Sequence, residues 1–477
     1  MRGYRWLILL LALLSAGLLT AADLTILDTA DQVTVEREVL AGEPDAAAGV
    51  EVTLPLSCGD HLFWTTTFPA DRPEEAATDF TYTLSRDYRI APWDQQPLSV
   101  EVLDSYYWDL GYGEESDPSS LRDQLFQQAQ DAAPAYQDST FTFWVRDYFD
   151  SWPLRVTADR QKYTAYAQYG KDSLSQLFQS YFSIPVSSGA RITVTVHNLS
   201  GGGTSYDEIG IPQRLDSFSA PCGDSILFVL ANIASVAVRD EAGNFQRTAM
   251  ALDGSQIPGG WGLYRYIPNE DYTGGTLETL WSLPDGAEIL EFWGAEDEKD
   301  FFLLTREEEQ LRLRVFDGDG NLLQAMDLLP LSGEESYMQT YKGDGFFVPM
   351  IYDPRDEGYR YHFAVVSKCA EDWSLAFTGD DRQADSLGYG GFSWVDNAYG
   401  GLIMAFDGER LVIRDSTYSD SDPFWLAIYT KDGLDYLATY RNSVSQAADN
   451  SSGPTFYDTA RPFWIEEPQV RWTETAS

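Results

Sequence analysis

The sequence predicts a mainly β protein, a β-propeller-like fold of about five to seven blades with a small α+β module in its N-terminal half. Three observations predict it. First, one strand-and-turn phrase recurs: 226–240 reads ILFVLANIASVAVRD, 302–317 reads FLLTREEEQLRLRVFD and 401–415 reads GLIMAFDGERLVIRD. Each is an apolar run, a polar break, an alternating run with Arg near its end, and an Asp. Second, the phrase ends at Asp240, Asp317 and Asp415 lie 77 and 98 residues apart, about two four-stranded blades of roughly 40–50 residues per interval. Third, 456–472 (FYDTARPFWIEEPQVRW) is placed to return and close a ring, which removes exposed sheet edges. The irregular spacing keeps a pair of stacked sandwiches as the alternative.

The chain opens with Arg2 and Arg5, then 6–22 (WLILLLALLSAGLLTAA), without a charge until Asp23. Positive residues ahead of an apolar stretch mark an export signal. Thr20, Ala21 and Ala22 offer small residues for cleavage, while the stretch is also just long enough for an uncleaved anchor. Both readings of 1–22 stay open. No second apolar run of that length follows, so everything after Asp23 is expected outside the cytoplasm, with the membrane touched only through this segment.

Residues 23–48 are polar and small, a stalk or lead-in strand. From 49 to 103 the pattern alternates (Val50, Val52, Leu54, Leu56; then 62–67, 80–84 and 98–103), which predicts β-strands and a candidate blade. Residues 104–211 differ. Asp117-Pro118 followed by Leu121, Leu125, Ala129 and Ala132 predicts a helix with a first-turn proline. Asp172 caps a second, with Leu174, Leu177, Phe178 and Tyr181 on one face and Pro185 beyond its end. Strands at 139–146 (STFTFWVR) and 191–198 (RITVTVHN) complete an α+β module. From 212 to 472 strands dominate, among them 261–268, 276–283, 346–352, 359–367 and 424–440.

The formal net charge is −43, with 75 Asp and Glu against 32 Lys and Arg. Such a surface repels phosphate backbones, so nucleic acid is excluded as a partner. Two of the three cysteines sit in matching contexts, Cys58-Gly-Asp-His and Cys222-Gly-Asp-Ser. In an exported protein a Cys58–Cys222 disulfide is one reading; a buried small residue at the same place in two related strands is the other. The spacings are too wide for a zinc knuckle, and no metal or cofactor is expected.

Nucleophile triads need a histidine, and only His61, His197 and His362 exist. Each sits in or beside a strand and reads as a strand or packing residue. Gly-x-Ser-x-Gly is absent, as is the full Ser-x-Asp-x-Gly-x-x-Trp box of sialidase-like propellers. Asp317-Gly-Asp319-Gly-Asn321 has the spacing that opens an EF-hand, but Leu322 replaces the required Gly and Leu328 the bidentate Glu. A hairpin turn is the simpler reading.

One aromatic stretch argues for binding. Tyr389-Gly-Gly-Phe392-Ser-Trp394-Val-Asp396 is flanked by glycine and enters a strand. Trp394 and Asp396 project to the same face of a regular strand, where a ring beside a carboxylate stacks on a sugar or holds a cation. Tyr389, Trp394 and Asp396 are therefore the candidate ligand-binding residues, and rings filling space between blades are the plainer alternative.

The lead-in at 33–43 and 56–64, the stretch 143–153 and the Phe182-Ser-Ile-Pro185 stop resemble a group of signal-anchored, propeller-like exported proteins of Gram-positive anaerobic bacteria. The resemblance implies a location and a fold, not a reaction. The expectation is a non-catalytic extracytoplasmic binding or scaffold protein, its partner an unknown ligand or an envelope protein. The alternatives are a carbohydrate-active hydrolase on the same scaffold and an accessory subunit of an envelope complex.

Overall fold

The computed structural model describes residues 2–30, 33–58, 62–82, 96–102, 121–158, 173–198, 202–240, 243–295, 297–331, 337–353, 360–387, 402–414, 424–443 and 469–473. The protein is mainly β, built from small antiparallel sheets, four of them four-stranded and one five-stranded. It divides into two compact units, Met1–Trp93 with Ser332–Ser477, and Asp94–Leu331.

In the first unit, Val50–Cys58, Leu62–Pro69 and Ala77–Tyr82 form a meander that Gln469–Trp472 completes from the far end of the chain. Thr473 N–H donates to the Gly49 carbonyl at 2.7 Å and extends that pairing. The returning C-terminal strand that the sequence predicts is therefore present as Gln469–Trp472. Its hydrogen bonds occupy an edge that Val50–Cys58 would otherwise leave open. A second meander runs Tyr337–Gly343, Phe346–Asp353, Arg360–Cys369 and Asp372–Asp380. The third comprises Ile403–Phe406, Leu411–Arg414, Phe424–Thr430 and Gly433–Asn442, with Val35–Ala41 added as a fifth strand.

Phe424–Thr430 (FWLAIYT) lacks the polar alternation of a half-exposed strand. Its packing gives the reason. Phe424, Leu426 and Ile428 join Val50, Val52, Leu54 and Phe68 in one core. Trp425, Ala427 and Tyr429 join Val348, Phe363 and Val365 in another. Both faces are covered, so every position from Phe424 to Tyr429 is apolar.

The described sheets of the second unit are two of four strands, two of three and one of two. Ser217–Cys222, Ser225–Leu230, Gly262–Pro268 and Gly275–Ser282 form one sheet, and Glu288–Gly294, Phe301–Glu307, Gln310–Phe316 and Leu322–Pro330 the next. Leu227 and Val229 face the second sheet, packing with Phe292, Phe301 and Leu303. Ile226, Phe228 and Leu230 face the other way, into a core supplied by the α+β segment. Its helices are Leu121–Ala132 and Ser173–Tyr181, as the periodicity predicts. Phe182 N–H still donates to Phe178 O at 2.7 Å past the end of the second helix.

The three recurring phrases are not equivalent in the structure. The second spans two adjacent strands in the middle of a sheet, Phe301–Glu307 and Gln310–Phe316. The third spans Ile403–Phe406, at a sheet edge, and its neighbour Leu411–Arg414, and Asp415 lies outside the described residues. In the first, Ser225–Leu230 and Ile233–Arg239 belong to different sheets, because the second strand pairs with Phe245–Ala251 and Pro212–Arg214. Apolar run, break and alternating run describe any half-buried hairpin, so the phrase carries no address within a sheet.

The lead-in is more ordered than a stalk: Val35–Ala41 is a strand and Pro44–Ala47 a short 3-10 helix. The N-terminal helix runs Arg2–Ala30, past Ala22. Its described side chains, 6–21 and Leu24, are exposed all round. Among the described residues no helix is long and apolar enough to cross a membrane.

Candidate functional site

Tyr389, Trp394 and Asp396, with the glycines around them, fall within 388–401, outside the described residues. His61 also lies outside them, and the Cys58 side chain is not described. Cys58 pairs with Leu62, and Cys222 with Ser225, each closing a hairpin. Cys222 carries a free thiol. His362 is half-buried within Arg360–Cys369, opposite Asp380 and Ile351.

The second unit holds an open cleft of about 440 Å³ lined by Cys222, Asp224, Ser225, Arg265, Ile267, Asp317, Gly318 and Asp319. Three pieces of chain build it. One is the turn after Ser217–Cys222, another the middle of Gly262–Pro268, the third the turn after Gln310–Phe316. Arg265 stands opposite Glu278 across the strand pair, and its Nη1 donates to Glu278 Oε1 at 3.0 Å. Nη2 reaches the other way, to the Gly318 carbonyl at 2.7 Å and Asp319 Oδ1 at 3.5 Å. The guanidinium is thus spent on holding the third turn against the strand, while its buried Nε has no hydrogen-bond partner.

The Cys222 thiol donates to the Gly318 carbonyl, with Sγ 3.5 Å from the oxygen. A Cβ at Gly318 would stand 3.0 Å from that sulfur, a tight approach that the thiol would have to yield to. Burial pushes the thiol pKa up, the Ser225 hydrogen bond and Arg265 pull it down, and Glu298 and Asp319 add to the rise. The net direction is upward, which keeps the sulfur protonated and unreactive.

Asp317 belongs to the backbone rather than to a ligand. Its Oδ1 accepts the N–H of Asp319 at 3.0 Å and of Asn321 at 2.8 Å, and Oδ2 accepts Asn321 Nδ2 at 2.9 Å. Burial alone would raise its pKa. The hydrogen bonds from Asn321 and the neighbouring N–H groups outweigh it and hold the carboxyl below its ordinary range. The sister turn matches: Asn244 N–H donates to Asp240 Oδ1 at 2.8 Å, and Gly243 and Gly320 take φ of 85° and 80°. Both are Asx-stabilised hairpin turns, as the sequence predicts. Among the described residues no group of three or more His, Cys, Asp and Glu is placed to hold a metal ion.

A second constellation lies on the three-stranded sheet Ser139–Trp144, Arg191–His197, Gly203–Ile209. His197 Nδ1 is 3.2 Å from Asp138 Oδ2, and Nε2 is 2.9 Å from Ser205 Oγ. Register brings them together. Thr195 pairs with Ser205 and Val196 with Ser139, so Ser205 is diagonal to His197 on one face and Asp138 stands beside it. Ile192, Val194 and Val196 are buried on the opposite face, which turns His197 to solvent by alternation. In the sequence the serine sits in Gly203-Thr-Ser-Tyr-Asp207 and its partners 8 and 67 positions upstream. No spacing rule links them; only a register prediction for all three strands would have found the group.

No protein-family model matches the chain, and no curated protein does. Among solved structures it is similar to hydrazine synthase from Kuenenia stuttgartiensis, at 11% identity over 58% of this chain and 81% of that one, with a TM-score of 0.22. TolB from Acinetobacter baumannii gives 9% identity over 92% and 82%, TM-score 0.22. A Lactobacillus plantarum protein gives 10% over 64% and 99%, TM-score 0.24. TM-scores this low establish no shared fold and assign this chain no activity.

Proposed function

We propose that the chain is an extracytoplasmic binding or scaffold protein, non-catalytic, whose four-stranded sheets are blades of a propeller-like fold of about five to seven blades. Three features support the fold reading: meanders of four strands, strands covered on both faces, and chain ends that pair into the same unit. The location rests on Arg2 and Arg5 ahead of the uncharged 6–22 stretch. Its described side chains are exposed and, Ser15 and Thr20 apart, apolar.

The observation that carries binding over chemistry is the state of the Cys222–Arg265 cleft. Its thiol is hydrogen-bonded with a raised pKa, and its guanidinium is committed to three acceptors. Asp317 is held ionised, the reverse of what a glycosidase proton donor needs. What the cleft presents outward is carboxylate, chiefly Asp319, 85% exposed, beside the exposed Ile267. That combination suits a ligand bringing hydroxyl or cationic donors and an apolar edge.

Thermal-shift titration with soluble oligosaccharides and with polyamines tests this, comparing wild type with Asp319→Asn. Saturable stabilisation by one class, weakened in the variant, is the expected result. Turnover of chromogenic glycosides abolished by Asp319→Asn would replace binding with hydrolysis.

A further inference from the structure

We propose that Ser205 is a general-base-activated hydroxyl, a covalent acceptor site for activated acyl esters, with His197 as its base and Asp138 as the positioning residue. The geometry meets the test for an activated nucleophile: Oγ to Nε2 is 2.9 Å and Nδ1 to Oδ2 is 3.2 Å. A carboxylate only accepts, so the Nδ1 nitrogen must carry the proton in that bond. In the neutral ring Nε2 is then the acceptor and takes the Ser205 hydroxyl proton. Asp138 thereby fixes the one neutral tautomer that can act as a base.

His197 and Ser205 come from two paired strands and Asp138 directly precedes the third, so the sheet's own ladder sets the placement of the first two and brings the start of the third beside them. The Thr140 and Thr195 hydroxyls bond each other at 3.1 Å on the same face. Together they make a continuous polar surface above the buried Val194 and Val196. The site is open, His197 being 38% and Asp138 46% exposed, so a bulky donor reaches Ser205 unhindered. Openness also sets the limit. Water competes for each hydrogen bond.

In the step, Ser205 Oγ attacks the ester carbonyl as its proton passes to His197 Nε2. The tetrahedral centre collapses, the carbonyl–leaving-group bond breaks, and the leaving alcohol or thiol takes the proton from His197. One ester is exchanged for another, and no redox partner is needed. The acyl-serine is the product of this step, which makes Ser205 a modification site rather than a turnover centre.

The probe is p-nitrophenyl acetate incubated with the full chain, with acetylated serines located by mass spectrometry. Ser205 is expected to acetylate about 10²-fold faster than the exposed Ser180 and Ser255, the low end of general-base assistance. Asp138→Asn keeps the shape, but the carboxamide donates to Nδ1 and leaves the proton on Nε2. It is expected to remove the advantage, as is His197→Gln, with thermal melts of both variants within a few degrees of wild type. Acetylation of Ser205 no faster than of Ser180 and Ser255 overturns the proposal. An advantage that survives Asp138→Asn overturns the role of Asp138.

Discussion

The ring of Phe182 meets the ring of Tyr264 edge-on, their centroids 4.8 Å apart and their planes at 88°. Phe182 follows the second helix of the α+β segment, and Tyr264 lies in the middle of a four-stranded sheet. Phe178 extends the contact to Tyr266, at 5.4 Å and also edge-on, and to Phe228 at 5.6 Å. All five rings are fully buried. The segment therefore shares one core with the sheet.

Phe182→Ala should destabilise the whole second unit by about 3–5 kcal/mol, the usual cost of emptying an aromatic site in a packed core. Urea unfolding followed by hydrogen exchange reads the result. Protection should fall together in Ser173–Tyr181 and in Gly262–Pro268. Loss confined to the helix would mean that segment and sheet fold independently.

Removing 469–477 should expose the edge of Val50–Cys58. Gln469–Trp472 pairs with Val50 to Thr53, and Val470 packs into the core beside Val52. The amides of residues 50–53 that face the lost strand should exchange on the order of 10²-fold faster in the truncated chain, as an open edge gives them to water. Unchanged protection would show that the C-terminal strand contributes nothing to that sheet.

How far these relationships are legible in sequence depends on the range of the signal. Alternation at Val50, Val52 and Leu54 marks a strand, and the spacing of Leu174, Leu177, Phe178 and Tyr181 marks a helix. Each needs only local residues. That Ile233–Arg239 leaves the sheet of Ser225–Leu230 is set by which edges accept it, and local pattern does not encode that choice. The strand Glu288–Gly294 escapes notice because Glu288 and Glu291 break its apolar run. The site is less legible still. Arg265 earns its place by reaching Glu278 and Gly318, residues 13 and 53 positions away, and the Ser205 group depends on register in two strand pairs.

Glu307 should give the second unit a share of its acid sensitivity. Burial raises its pKa, but hydrogen bonds from Arg314 and Thr305 and the charges of Arg314 and Arg312 outweigh that and set it below its ordinary 4.5. A carboxyl depressed in the folded state stabilises above its unfolded pKa, and the stabilisation is lost as pH falls through the folded value. Stability of the wild type should therefore drop below about pH 4.5, and Glu307→Gln should flatten that limb while lowering stability at neutral pH. Denaturation midpoints between pH 3 and 7 measure it, and parallel curves would remove Glu307 from the network.

Cys369 should react with iodoacetamide before Cys222. Cys369 is exposed, whereas Cys222 is half-buried with its pKa raised by burial, which keeps its thiolate fraction below that of an ordinary thiol. Alkylation followed by peptide mass spectrometry at pH 8 should show a rate ratio on the order of tenfold. Equal rates would place an ionised sulfur in the cleft and undo its reading as an inert binding surface.

Protease added to intact protoplasts of cells expressing the full chain tests most directly whether this is an extracytoplasmic protein. Digestion of everything after the N-terminal segment, or recovery of the body of the chain in the medium, is the result predicted from Arg2, Arg5 and the uncharged stretch to Ala22. Full protection of the intact chain, with a cytoplasmic control equally protected, would contradict it.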